Sequence, residues 1–297
     1  MKPVRRIGFA YNPTIEAAVE LRERAAGWVE MQGLEHWAAA AAEQETLRDR
    51  LPGTDVLVVL GGDGTFLRAA EAVIAVDVPL LGINVGKVGF LSKVEAGAME
   101  RVLGQLAAGD YAIEERMALE GLIHRGAAPP SGGATGAGGV PRPVGEPERV
   151  VALNDVVIAR GSLARVVRLA TSIGESHLAT FVADGLVVAS PTGSTGYSFS
   201  AGGPILDPTA RNLVVTPIAS YLATIRSVVV GPGSVVRAQI LAALEALVSV
   251  DGRLDIPVAV GDIVEIRAIE RPVRLVEPIG SLPFWDLVRQ KVELLPS

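Results

Sequence analysis

Apolar and polar positions along this chain follow two different rhythms, and the change comes near residue 111. Before it, short apolar runs at 6–10, 34–39, 55–60 and 78–85 alternate with stretches of helical spacing at 15–31, 43–51, 65–75 and 99–108. Strand, helix, strand, helix in this order predicts a parallel sheet with helices on both faces. After Tyr111 the helical spacing disappears. Short β-like segments follow at 111–115, 117–125, 150–159, 166–173, 177–182, 186–190, 227–230, 247–250 and 263–268. They predict a β-rich second domain. Between two of them, residues 126–149 are nearly all Gly, Pro, Ala and small polar residues, which reads as a mobile surface insertion between adjacent strands. Residues 284–292 have the spacing of a short amphipathic helix that packs on the body of the protein. The expected fold class is therefore an α/β N-terminal domain followed by a β-rich C-terminal domain.

Composition narrows the function. The 297 residues suffice for two domains, and 49% hydrophobic with 20% charged residues describes a folded enzyme and not a disordered chain. A net charge of −6 disfavours non-specific binding to nucleic acid or anionic membrane. The absence of cysteine removes disulfides, thiolate zinc sites and cysteine nucleophiles. No secretory signal and no apolar run of membrane-spanning length is present, so a cytoplasmic location is expected.

Four stretches carry candidate chemistry. In Leu57-Val58-Val59-Leu60-Gly61-Gly62-Asp63-Gly64-Thr65-Phe66, a buried strand meets a glycine turn and a helix start. Glycines let backbone N–H groups approach a bound group, and a helix N-terminus favours phosphate. The acid Asp63 spoils a plain anion cradle unless it meets a metal ion or a substrate hydroxyl. The bland reading is tight topology. Residues 82–91, with Gly82, Gly86 and Gly89, lie just past a strand end, where open α/β sheets bind ligands; the alternative is a simple loop. Residues 184–204 crowd hydroxyls and glycines around Pro191-Thr192-Gly193-Ser194-Thr195-Gly196-Tyr197-Ser198, which suits a ligand rich in hydroxyls and phosphates. Such density also describes a flexible loop. Asn154-Asp155 interrupts an apolar run, and an amide beside a carboxylate can hold a ribose diol or else cap a turn.

In this order the four stretches resemble the successive motifs of the NAD kinase family, from residue 55 to about 207. The resemblance implies phosphorylation of the adenosine-ribose 2′-hydroxyl of NAD by ATP, giving NADP, with a divalent metal ion, Mg²⁺, as cofactor. It implies domains at 1–112 and 113–274, a segment 275–297 returning to the first domain, NAD between the domains, and a homodimer or homotetramer. By similarity Asp63 is the proton acceptor. Gly61, Gly62, Gly64 and Thr65 form the phosphate and ATP region, and Mg²⁺ is held mainly by phosphates with Asp63 as a further ligand. Dinucleotide contacts are implied for Asp63, Gly64, Arg68, Phe90, Asn154, Asp155, Arg165, Asp184, Thr195, Gly196, Tyr197, Ser198, Phe199, Ser200 and Ala219. Arg68 reads equally as a solvated helix arginine. The chain departs from many relatives in Asp155 for Glu, Gly196 for Ala and Arg253 for Gln, and in its longer Gly/Pro insertion. No Walker-type loop is present to hold ATP, and polyphosphate is an alternative donor. The rival readings are a lipid kinase of the diacylglycerol or sphingosine type, which shares the glycine turn, and a dinucleotide sensor without turnover.

Overall fold

The structure is a computed structural model and describes residues 1–126, 145–161, 165–221 and 225–293. The chain divides into two compact units, Met1–Arg116 with Pro272–Ser297, and Met117–Arg271.

The first unit opens with β1 (Arg6–Tyr11), α1 (Glu16–Met31), β2 (Glu35–Ala40), α2 (Gln44–Arg50), β3 (Val56–Leu60), α3 (Asp63–Ile74), β4 (Leu80–Asn84), β5 (Val94–Glu95), α4 (Met99–Ala108) and β6 (Tyr111–Arg116). All five residues of β3, Val-Leu-Val-Val-Leu, are buried, as expected of a parallel strand covered on both faces. On one face Leu21, Ala25 and Val29 of α1 and Val102, Leu103 and Leu106 of α4 pack on Ile7, Phe9, Val58 and Leu60. Phe66 of α3 lies with Leu80, Leu81 and Gly82 of β4. The entry to α1 has no side-chain cap. Its N-cap is Ile15 without a side-chain bond, and Asn12 Oδ1 instead accepts from the Thr14 N–H and hydroxyl at 3.1 and 2.9 Å.

The second unit contains β7 (Leu119–His124), β8 (Glu148–Ala152), β9 (Asp155–Arg160), β10 (Val167–Ile173), β11 (Ser176–Ala183), β12 (Gly185–Ala189), α5 (Tyr197–Ser200), β13 (Leu213–Ile218), β14 (Val228–Val230), β15 (Val235–Ala242), β16 (Ala246–Val250), β17 (Leu254–Val258) and β18 (Ile263–Ala268). Among the described residues these strands form two six-stranded antiparallel sheets, ordered β11-β10-β15-β18-β7-β8 and β14-β13-β12-β9-β16-β17. Leu119, Leu169, Ile240 and Ile266 from one sheet share a core with Ile158, Leu186, Val215 and Val248 from the other.

Two expectations change here. The single apolar run at 150–159 is broken at Leu153-Asn154: β8 belongs to one sheet and β9 to the other. The insertion is also shorter than residues 126–149, because Glu148 and Arg149 are already in β8 and the Gly126 N–H donates to Asp262 at 2.8 Å. Residues 127–144 of that stretch, read as mobile, lie outside the described residues.

The chain then returns to the first unit as β19 (Val273–Pro278) and α6 (Phe284–Glu293). β19 pairs parallel with β4 and antiparallel with β6, giving a sheet ordered β2-β1-β3-β4-β19-β6 with β5 on β4. The expected boundaries at 112 and 274 therefore fall inside paired strands, and the sheet is mainly parallel with an antiparallel edge. Strand order reverses between β1 and β3, and the Gly61–Thr65 turn stands at the C-terminal end of β3, on this switch point.

Candidate active site

Helix α3 begins at Asp63, two residues earlier than its apolar spacing suggests, because Gly62 serves as N-cap and accepts from the Thr65 and Phe66 N–H groups. Asp63 thus stands in the first turn, where the helix dipole favours a negative charge and the first N–H groups lack intrahelical partners. A Cβ at Gly62 or Gly64 would meet nothing within 4 Å, so within this unit the turn faces open space. Gly61 is different: a Cβ there would lie 2.6 Å from Thr65 Oγ1. Thr65 is buried in this packing.

The Asp63 carboxylate does not stand alone. Its Oδ2 accepts from the Phe90 N–H at 2.9 Å, and its Oδ1 from Leu91 and Ser92 at 3.2 and 3.0 Å. A carboxylate has about four lone-pair sites, so one on Oδ2 is left for a further donor. The loop that supplies these amides is tied at its start by Asn84, which accepts from the Gly86 N–H and donates to the Lys87 carbonyl, both at 2.7 Å. Helix α6 ties its middle. Lys291 Nζ donates to the Val88 carbonyl at 2.8 Å and lies 5.0 Å above the Phe90 ring, which also packs on Phe284. Phe90, expected at the dinucleotide, thus has its ring engaged by α6 and acts on Asp63 through its amide. Removing the ammonium with Lys291→Met should cost about 1–2 kcal/mol in stability, one charge-assisted bond with its ring contact. It should also lower turnover by loosening the loop behind Asp63. Thermal melts and steady-state kinetics check this, and unchanged values in both would refute it.

In the second unit a cavity of about 380 Å³ is lined by Asn154, Asp155, Val157, Ala159, Tyr197, Leu247, Ser249, Asp251, Gly252 and Asp255. Its size suits part of a small-molecule ligand. Asn154 Oδ1 is buried without a hydrogen-bond partner among the described residues, an acceptor that a ligand donor would satisfy. Asp155 is buried, and this burial with the nearby charge of Asp251 pushes its carboxyl up to about 7. Tyr197 is half exposed.

The hydroxyl-rich stretch is a shaped turn docked on Asn154. Ser190 Oγ donates to the Leu153 carbonyl at 2.6 Å and accepts from the Gly193 N–H at 3.1 Å, while the Ser190 N–H donates to the Asn154 carbonyl at 2.8 Å. Several hydroxyls expected at the ligand are spent inside the protein. Ser194 bonds the Pro191 carbonyl, Thr195 the Thr192 carbonyl, and buried Ser198 lies 3.3 Å from the Thr216 hydroxyl. Phe199 and Ser200 are exposed on the short helix, outside the cavity lining, whereas Gly196 is half-buried and a Cβ on it would lie 3.9 Å from Asn154 Nδ2 and 4.0 Å from Asp155 Oδ2.

Within the second unit, other expected residues are not brought to the cavity. Asp184 adjoins Arg160 at the far end of the β9–β12 pair, and the Arg160 guanidinium holds it at 2.9 and 3.1 Å. Arg165 is exposed before β10. Ala219 is exposed after β13 with a φ of 46°, and Arg68 is exposed on α3. One residue was missed by sequence reasoning: Asp251 lines the cavity and accepts from the Leu153, Asn154 and Asp155 N–H groups at 3.0, 2.8 and 3.0 Å. Its signal was Asp251-Gly252 between two apolar runs, the residue pair of a tight hairpin turn. Pro257 in the second run concealed the strand, which proves to be the sheet edge.

No group of three or more His, Asp or Glu side chains suited to a metal ion occurs among the described residues. The glycine turn itself offers one carboxylate, Asp63; a divalent ion bound chiefly through substrate phosphates requires no larger protein donor set.

Comparison with known proteins places this geometry. Residues 14–111 match the family profile described as the ATP-NAD kinase N-terminal domain, and residues 153–278 that of the ATP-NAD kinase C-terminal domain. An NAD kinase of Syntrophotalea carbinolica is 34% identical over 298 residues, covering 97% of this chain and 98% of its own. One from Symbiobacterium thermophilum is 41% identical over 239 residues, covering 80% and 78%. Among solved structures, the yeast NADH kinase complexed with NADH shares the fold at a TM-score of 0.77 and 24% identity, over 99% of this chain and 88% of that one. An NAD kinase from Archaeoglobus fulgidus in complex with ATP does so at 0.73 and 23%, over 98% and 100%. With both domains matched in order and relatives aligned over nearly the whole length, the chain belongs to the NAD kinase family.

Proposed function

We propose that this chain carries out NAD kinase chemistry with Asp63 as the group that meets the acceptor hydroxyl. The acceptor is the 2′-hydroxyl of the adenosine ribose of NAD and the donor is ATP. The bond that forms joins the 2′-oxygen to the γ-phosphorus; the bond that breaks frees ADP. In a loose phosphoryl-transfer transition state the hydroxyl keeps its proton until late. Asp63 therefore orients the nucleophile through its remaining acceptor site and takes the proton as the new bond forms. The observation that carries this reading is a carboxylate held by three amides at a helix start, with open space over Gly62 and Gly64. The first-turn N–H groups of α3 receive phosphate oxygens. Mg²⁺, held mainly by substrate phosphates, would offset charge on the transferring group.

In the second unit Asn154 and Asp155 hold ribose hydroxyls, and Tyr197 stacks on a flat ring. Assembly into a homodimer or homotetramer is the state that the family resemblance implies. Incubation with NAD, ATP and Mg²⁺ is expected to yield NADP. Phosphorylated lipid without NADP would select the lipid kinase, and NAD binding without turnover the sensor. The same assay with polyphosphate in place of ATP defines the donor, and light scattering the assembly.

A further inference from the structure

Asp251 occupies the tight turn between β16 and β17, and its side chain is 1% exposed. Asp251 and Gly252 have φ of 50° and 63°, and the Arg253 N–H closes the turn on the Val250 carbonyl at 2.9 Å. Positive φ at a residue with a side chain is disfavoured, so the surroundings must hold it there. What holds it is a reciprocal clasp. The Asp251 carboxylate accepts from three successive amides, of Leu153, Asn154 and Asp155, and the Asp251 N–H donates to the Asp155 carbonyl at 3.0 Å. Three neighbouring amides gathered on one carboxylate cannot also take part in a ladder, whose donors alternate in direction. The chain therefore leaves one sheet at β8 and enters the other at β9, and the Asn154 and Asp155 side chains line the cavity at that break.

We propose that Asp251 is a positioning residue for the dinucleotide, aiming Asn154 and Asp155 into the cavity and carrying the negative charge of the Asp155–Asp251 pair. The proposal rests on the reading of this cavity as part of the NAD site. Four chargeable groups face Asp155 there or stand behind its partner: Asp251 and Arg253 on the turn, Asp255 on β17, and Tyr197. Burial raises the Asp251 carboxyl above its ordinary value, and the three amides with the Arg253 guanidinium, 3.5 Å away, offset that only in part, donors that Asp155 lacks. Asp155 has only burial and the Asp251 charge acting on it, and both favour its protonated form. Below about pH 7 Asp155 is thus a neutral acid able to donate; above it the pocket gains a second buried charge. Affinity for the anionic dinucleotide should fall as pH rises through that value.

The test compares the full-length protein with Asp251→Asn. The expected result is a rise of about tenfold in the KM for NAD with kcat within about threefold, the mark of lost ground-state positioning. The pH midpoint of NAD binding should move down by about one unit, because the charge that disfavours ionised Asp155 is gone. Unchanged KM and midpoint would overturn the proposal, as would a loss of kcat at constant KM. If Asp251→Asn does not fold, the native protein decides: Asp251 should be ionised throughout the range in which Asp155 titrates, and the reverse order refutes the proposal. A carboxyl ¹³C titration of the ligand-free protein reads the pair without substrate. A native protein that neither binds nor phosphorylates NAD would overturn the NAD reading instead, a result distinct from normal turnover with an indifferent Asp251→Asn.

Discussion

Asp63→Asn should lower the kcat for NADP formation by about 10²–10⁴-fold, the range for a positioned proton acceptor, with NAD affinity within about twofold of the native value. The structure adds a second consequence. To satisfy the Leu91 and Ser92 amides, the Asn carbonyl oxygen must take the Oδ1 position, which turns its NH₂ toward the Phe90 N–H that now bonds Oδ2 at 2.9 Å. Two donors then face each other, and stability should fall by about 1–3 kcal/mol. Gly89→Ala separates chemistry from position. Its methyl would lie 2.0 Å from Asp63 Oδ1, so the carboxylate must leave its amides although the residue itself is intact. A matching loss of kcat in Gly89→Ala would show that placement, not mere presence, of the carboxylate matters. Near-normal kcat in Asp63→Asn would refute the assigned role.

Gly193→Ala should damage the cavity of the second unit. A Cβ at Gly193 would lie 2.1 Å from the Asn154 carbonyl oxygen and 2.5 Å from its carbon, and neither backbone atom can swing aside as a side chain could. The turn that carries Tyr197 would have to lift from Asn154, with strain on the bonds of Ser190 to Leu153 and Asn154. Overpacking of this kind costs about 1–3 kcal/mol. The KM for NAD should rise by about tenfold or more while kcat at saturation changes less, since Asp63 is untouched. Urea denaturation and a substrate titration measure both. Native stability with native KM would show that the turn tolerates the methyl and does not shape the site.

The first unit was largely legible because its signals are local. An apolar run, a glycine turn and a helical spacing follow one another within residues 56–74, and the structure places β3, the turn and α3 there. Helix α4 has the expected bounds, Met99–Ala108, closed by Gly109 in the left-handed conformation. The second unit was less legible. β13 and β17 each contain a proline, which argues against a strand from sequence alone. β15 alternates Val236, Ala238 and Ile240 inward with Arg237 and Gln239 outward, a strand period present in the sequence but absent from the segments expected above. The run at 150–159 looked continuous because apolar residues flank its break, and only Asn154-Asp155 marked it.

By itself the sequence determined the alternation of elements, the glycine turn with its single acid, the hydroxyl-rich turn and the family resemblance. All of these are patterns within a few tens of residues. Tertiary structure alone decided which oxygen of Asp63 stays available, that Asp184 is held by Arg160, and that Phe90 faces α6. It also decided that Asp251 organises a turn 96–98 residues earlier in the chain. A hydrogen bond has no sequence period: it forms where packing brings a donor to an acceptor, and periodicity records only which face of an element is buried.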